Sequence, residues 1–277
     1  MTGAGAGFRA KYEAAVERNE SLLCVGLDPD PALMPAGVES VDFLHSIIEA
    51  TSDLVCCYKP NAAFFEAEGK PGLAALRAVI EAIPEQVPVL LDAKRGDIGN
   101  SSAFYARAVF EQLGADAVTV SPYLGEDGLQ PFFEYQERHS FVLCRTSNPS
   151  AGDLQDLPVT TDGRPLYEHV AMLANGWNQR GNVGLVVGAT YPAEAARIRE
   201  LCPELLFLVP GVGAQAGELE AAVRASSNAS GGGLLLNASR AVLYAGQSAG
   251  NRDYARAARD AATDLRDAIN AARSAAD

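Results

Sequence analysis

Residues 90–102 read Leu-Leu-Asp-Ala-Lys-Arg-Gly-Asp-Ile-Gly-Asn-Ser-Ser, and four charged residues, Asp92, Lys94, Arg95 and Asp97, fall within six positions. Alternate side chains of an extended strand share a face, so Asp92 and Lys94 point to the same side. Asp97 follows, between Gly96 and Gly99, where the backbone can turn sharply. Two carboxylates around one ammonium keep it protonated, because nearby opposite charge favours the charged form. An ammonium held this way can give a proton to carbon or stabilise negative charge as it develops. A carboxylate held beside a substrate carboxylate also favours CO2 loss, by relieving like-charge repulsion.

Other groups have the right character to complete such a site. Asp28 closes the run Val25-Gly26-Leu27-Asp28, and Lys59 closes Cys57-Tyr58-Lys59. A lysine at the end of a buried strand needs a counter-charge, so an Asp28–Lys59 ion pair bordering the site is expected, with capacity to hydrogen-bond sugar hydroxyls. Further on come Pro210-Gly211-Val212-Gly213-Ala214-Gln215 and Asn237-Ala238-Ser239-Arg240. Glycines there let backbone N–H groups approach an anion, a following helix N-terminus would add positive potential, and Arg240 supplies a fork-shaped cation for phosphate.

The elements that must hold these residues alternate regularly. Short apolar runs lie at 22–27, 54–58, 87–91, 117–120, 141–144, 183–187, 205–209 and 233–236. They are continuous rather than alternating, as in strands buried on both faces of a parallel sheet. Helical patterns fall between them, at 41–50, 73–83, 102–113, 165–178, 192–201 and 216–224. A last helix carries Tyr254, Ala258, Ala261, Leu265, Ile269 and Ala272 on one face, with Asp253 as its N-cap. Eight such units predict an α/β fold of the (β/α)8 TIM-barrel type, in preference to an open doubly wound sheet. It would be a single domain over 1–277, with 1–7 as a frayed end. Polar residues gather just after the runs, at Asp28, Lys59, Asp92, Ser121, Ser147, Gly188, Gly211 and Asn237, which is the catalytic mouth of such a barrel. The irregular stretch 147–165 is expected to be a functional loop or lid.

Composition narrows the classes. Thirty-five acids stand against 22 Lys and Arg, a formal net charge of −13. That argues against a nucleic-acid partner, which wants a basic face, and against a membrane surface, since no Lys/Arg-rich amphipathic stretch occurs. No apolar run is long enough to span a bilayer. The five cysteines form no Cys-x-x-Cys and read as buried, reduced thiols of a cytoplasmic protein. Three scattered histidines make a zinc site improbable, and no metal is expected.

The segment Leu91-Asp92-Ala93-Lys94-Arg95-Gly96-Asp97-Ile98-Gly99-Asn100-Ser101 resembles the signature of the orotidine 5′-phosphate decarboxylases, in their bacterial long-chain subgroup. Supporting pieces are Gly26-Leu27-Asp28-Pro29, Tyr58-Lys59-Pro60-Asn61, Val120-Ser121-Pro122-Tyr123, Arg145-Thr146-Ser147-Asn148-Pro149, Pro210–Gln215 and Asn237–Arg240. The Asp-x-Lys-x-x-Asp core is shared with related sugar-phosphate barrels, and the Asp-Ile-Gly-Asn-Ser extension is more particular. The resemblance implies a lyase free of cofactor and metal that converts orotidine 5′-phosphate to UMP, the last step of de novo pyrimidine biosynthesis. It implies that Lys94 protonates C6, that Asp92 lies beside the leaving CO2, and that Asp97 completes the array in a partner subunit's site, giving a homodimer. Ile98 and Ser101 would accompany Asp97, with Ser101 in place of a more usual Thr. Asp28 and Lys59 would bind ribose hydroxyls, Ser147 the pyrimidine amide edge, and Gln215 and Arg240 the phosphate. Three other readings stay open on the residues alone. They are a Mg2+-dependent sugar-phosphate enzyme using Asp92 as a ligand, a Schiff-base aldolase using Lys94 or Lys59, and a phosphate-ligand binding protein.

Overall fold

The computed structural model describes residues 7–211, 216–247 and 253–274. Along the chain these form α1 (Phe8–Asn19), β1 (Leu23–Leu27), α2 (Ser40–Thr51), β2 (Cys57–Pro60), α3 (Ala62–Glu66), α4 (Gly69–Ala82), β3 (Leu90–Arg95) and α5 (Gly99–Arg107). There follow β4 (Ala117–Val120), α6 (Glu126–Phe133), β5 (His139–Arg145), α7 (Gly152–Gln155), α8 (Leu166–Trp177), β6 (Val183–Val187) and α9 (Pro192–Leu201). The remainder is β7 (Phe207–Pro210), α10 (Ala216–Ser226), β8 (Leu234–Ala238), α11 (Arg240–Leu243) and α12 (Tyr254–Ser274).

The strands form one parallel sheet in the order β2-β1-β8-β7-β6-β5-β4-β3. Its two ends meet through parallel bridges, Tyr58 with Val89 and Asn61 with Asp92, so the sheet curls into the expected (β/α)8 barrel. Strands buried on both faces explain the unbroken apolar runs: β1, β4, β6 and β8 are buried throughout.

Several boundaries move. The second strand is 57–60 rather than 54–58, because Leu54 and Val55 belong to the approach to it. The helix expected at 102–113 starts at Gly99 and gives way after Arg107 to a π-helical turn over Ala108–Gln112. Helix α1 is additional: it turns Phe8, Tyr12 and Ala15 onto the barrel, and the Tyr12 hydroxyl donates to the Leu234 carbonyl at 2.9 Å. Asp253 caps α12 as expected, accepting the Arg256 N–H at 3.1 Å. All five cysteines are buried and unbridged. No helix among the described residues is long and apolar enough to cross a membrane.

Candidate active site

The charges at the ends of β2 and β3 form a continuous chain. Lys59 Nζ lies 3.1 Å from Asp92 Oδ2, and Lys94 Nζ lies 2.7 Å from Asp92 Oδ1. One carboxylate thus joins two ammonium groups. Burial alone would raise the Asp92 pKa, but the Lys59 and Lys94 charges and hydrogen bonds from Lys94 and Thr119 bring it down to about 2. Lys59 is 3 % exposed. Burial works against its ammonium, yet Asp28 and Asp92 outweigh that and hold its pKa above the ordinary value. Lys94 stands half exposed at the rim, with its ammonium held on Asp92.

The expected Asp28–Lys59 ion pair does not form. β2 lies beside β3 at this level, since Asn61 bridges Asp92, and the Lys59 ammonium turns to that side. Asp28 acts on Lys59 through the field rather than by contact. Its Oδ1 is buried with no hydrogen-bond partner among the described residues. An orphaned buried acceptor at a mouth of this kind suits a ligand hydroxyl.

A cleft of about 460 Å³ opens beside Asp28, walled by Phe64, Gly211, Asn237, Ser239, Arg240 and Tyr244. The Tyr244 hydroxyl accepts the Asp30 N–H at 2.7 Å and donates to the Asp28 carbonyl at 2.9 Å, tying α11 to the loop after β1. Gly26 is required here, because a Cβ would fall 1.9 Å from the Ser239 hydroxyl. Ser147 packs on Gly188, where an added Cβ would sit 3.0 Å from its own Cβ. Gln215 lies outside the described residues. The helix after β8 has only four residues, so it adds little field of its own, and Arg240 carries the positive charge of the cleft.

The 147–165 stretch is tied back to the end of β5. Gln155 accepts the Thr146 N–H at 2.9 Å, and Arg145, buried against the Tyr191 ring, pairs with Asp156 at 3.3 Å. Pro158 bridges Pro165.

Asp97, Ile98 and Ser101 do not join the array of their own chain. Asp97 Oδ1 accepts the Ile98 N–H, and Asp97 has no ion pair among the described residues. Ile98 is 60 % and Tyr123 82 % exposed, and Phe104 and Leu124 are exposed with them.

Thr119 was missed by the sequence reading. It is buried in β4, accepts the Lys94 N–H at 2.9 Å and donates to Asp92 Oδ1 at 2.8 Å. The only signal was one hydroxyl inside the apolar run 117–120, and threonine is too common in strands to stand out.

Comparison with known proteins bears on the fold and the family. The sequence model of the orotidine 5′-phosphate decarboxylase / HUMPS family matches residues 21–252. An orotidine 5′-phosphate decarboxylase of Roseiflexus castenholzii is 55 % identical over 271 residues, covering 96 % of this chain and 98 % of the relative. One from Thermomicrobium roseum is 52 % identical, covering 96 % of each. The solved OMP decarboxylase of Leishmania donovani superposes with a TM-score of 0.85 at 46 % identity, over 96 % of this chain and 98 % of that one. The chain therefore belongs to the orotidine 5′-phosphate decarboxylase / HUMPS family.

Proposed function

We propose that this enzyme decarboxylates orotidine 5′-phosphate to UMP in pyrimidine biosynthesis, with its own side chains as the only catalysts. The observation that carries the reading is Asp92 held between Lys59 and Lys94. The C6–carboxyl bond breaks with its electron pair left on C6, and CO2 departs on the Asp92 side. The Lys94 ammonium stabilises the carbanion and gives it a proton, then recovers one from solvent. Asp28 and Lys59 hold ribose hydroxyls, Ser147 meets the amide edge of the base, and Gln215 and Arg240 hold the phosphate. These remote contacts supply binding energy to the reacting end.

The same geometry disfavours the other readings. Asp92 is already engaged by two ammonium groups and the Thr119 hydroxyl, a poor setting for a Mg2+ ligand. A Schiff-base lysine must lose its proton, and Asp92 opposes that at both lysines. A binding protein has no use for the array.

Asp97, Ile98 and Ser101 are proposed to reach the site of a second copy in a homodimer. The exposed Ile98, Phe104, Tyr123 and Leu124 around them support this. Buried thiols suit a cytoplasmic setting, since burial pushes Cys56 and Cys57 well above the ordinary thiol range and keeps them protonated.

The test is the absorbance change on adding orotidine 5′-phosphate in the presence of EDTA. Full turnover is expected. Lys94→Ala should lower kcat on the order of 1000-fold or more while UMP still binds. Activity that EDTA abolishes and Mg2+ restores would instead support the metal-dependent reading.

A further inference from the structure

The pairing of β3 with β4 contains a mismatch. Leu91 pairs with Val118 and Arg95 with Val120, so four steps along β3 face two along β4. The surplus is taken up around Lys94, whose φ is +47°. That left-handed conformation is uncommon for a residue with a side chain and persists only where its surroundings impose it. A bulge of this kind leaves a strand N–H without a ladder carbonyl. Here the Lys94 N–H is taken by Thr119, the single β4 residue inside the mismatch, through its Oγ1 at 2.9 Å. With Oγ1 accepting from Lys94, the hydroxyl proton is free for Asp92 Oδ1, 2.8 Å away.

We propose that Thr119 is a positioning residue for the decarboxylation: its one hydroxyl fixes both the backbone that aims Lys94 and the carboxylate that orients the Lys94 ammonium. It touches neither reacting atom. Valine keeps the branched shape but leaves the Lys94 N–H and one lone pair of Asp92 unanswered, so the bulge can relax and the ammonium loses its alignment. Misplacement on the ångström scale costs rate rather than binding when the group acts only in the transition state. The inference rests on the role of Lys94 stated above.

The test measures kcat, KM and UMP affinity for wild type, Thr119→Val, Thr119→Ser and Lys94→Ala. Thr119→Val should lose on the order of 10- to 100-fold in kcat. Its KM and UMP affinity should stay within a few-fold of wild type, and Thr119→Ser, which keeps the hydroxyl, should recover most of the rate. Unchanged kcat in Thr119→Val, or equal losses in the Val and Ser variants, overturns the proposal. Lys94→Ala separates the two claims: if it retains kcat, the Lys94 reading falls and this one with it, whereas an inactive Lys94→Ala beside a fully active Thr119→Val sinks the Thr119 role alone. Should Thr119→Val fail to fold, Thr119→Cys, similar in size and a weaker hydrogen-bonder, must show the same fall in kcat at constant KM.

Discussion

At the scale of single residues, Asp92 carries the most. It neutralises the buried Lys59 and restrains Lys94. Asp92→Asn would leave Lys59 buried without its contact partner, and removing one member of a buried pair costs about 3 kcal/mol. The cost should depend on pH. The Asp92 pKa lies at about 2 in the folded chain against an ordinary 3.8. Its contribution is therefore complete above about 3.8 and is lost as pH falls toward 2. Urea unfolding at pH 7 and at pH 3 should show the gap between wild type and Asp92→Asn narrowing in acid. A constant gap would mean that Asp92 contributes shape rather than charge. Asp92, Lys94 and Lys59 were legible in the sequence because charges are costly at strand ends and so stand out. The choice of partner was not legible. Both Asp28 and Asp92 fit Lys59 on paper, because β1 and β3 both flank β2, and only the folded barrel shows that the ammonium turns to the β3 side.

At the scale of elements, the short helix α11 shows how the cleft is built. Too brief to supply a dipole, it presents Arg240 at its start and, one turn on, Tyr244 to the loop after β1. A charge-assisted bond from Arg240 to phosphate is worth about 1.5–3 kcal/mol. Arg240→Ala should thus weaken UMP on the order of 10- to 100-fold while leaving uridine binding nearly unchanged, as calorimetry can measure. Equal weakening of both ligands would place the phosphate elsewhere. The strand runs and most helices could be read from periodicity, and 117–120, 183–187 and 192–201 match to the residue. Helix α1 could not, since its few buried residues make a weak stripe beside a Gly/Ala-rich end. Arg199 was equally hidden. In sequence it looks like a solvated helix position, yet its guanidinium donates to the carbonyls of Cys202, Leu205, Ser226 and Gly233 and fastens the approaches to β7 and β8. Burial lowers its pKa to about 10, so it stays charged in the ordinary range.

At the scale of the whole molecule, the net charge of −13 says nothing about the sign of the ligand, because Lys59, Lys94 and Arg240 gather at one mouth. Within one chain Asp97 stays off that array, which the proposed dimer would remedy. Mixing inactive Asp97→Ala and Lys94→Ala subunits should restore up to about one quarter of wild-type activity after exchange, because random pairing makes half the dimers mixed, each with one intact site out of two. No recovery after verified exchange would argue against a shared site. One last consequence follows from how the barrel closes. Between β2 and β3 the backbone makes only two isolated bridges, whereas every other neighbouring pair shares a ladder. Two ion pairs cross that gap, Lys59 with Asp92 and Arg95 with Glu66 of α3. Of these, Lys59 and Asp92 are also charges of the proposed site, so that pair would serve both closure and activity, and this seam is where engineering for stability would have least freedom to move.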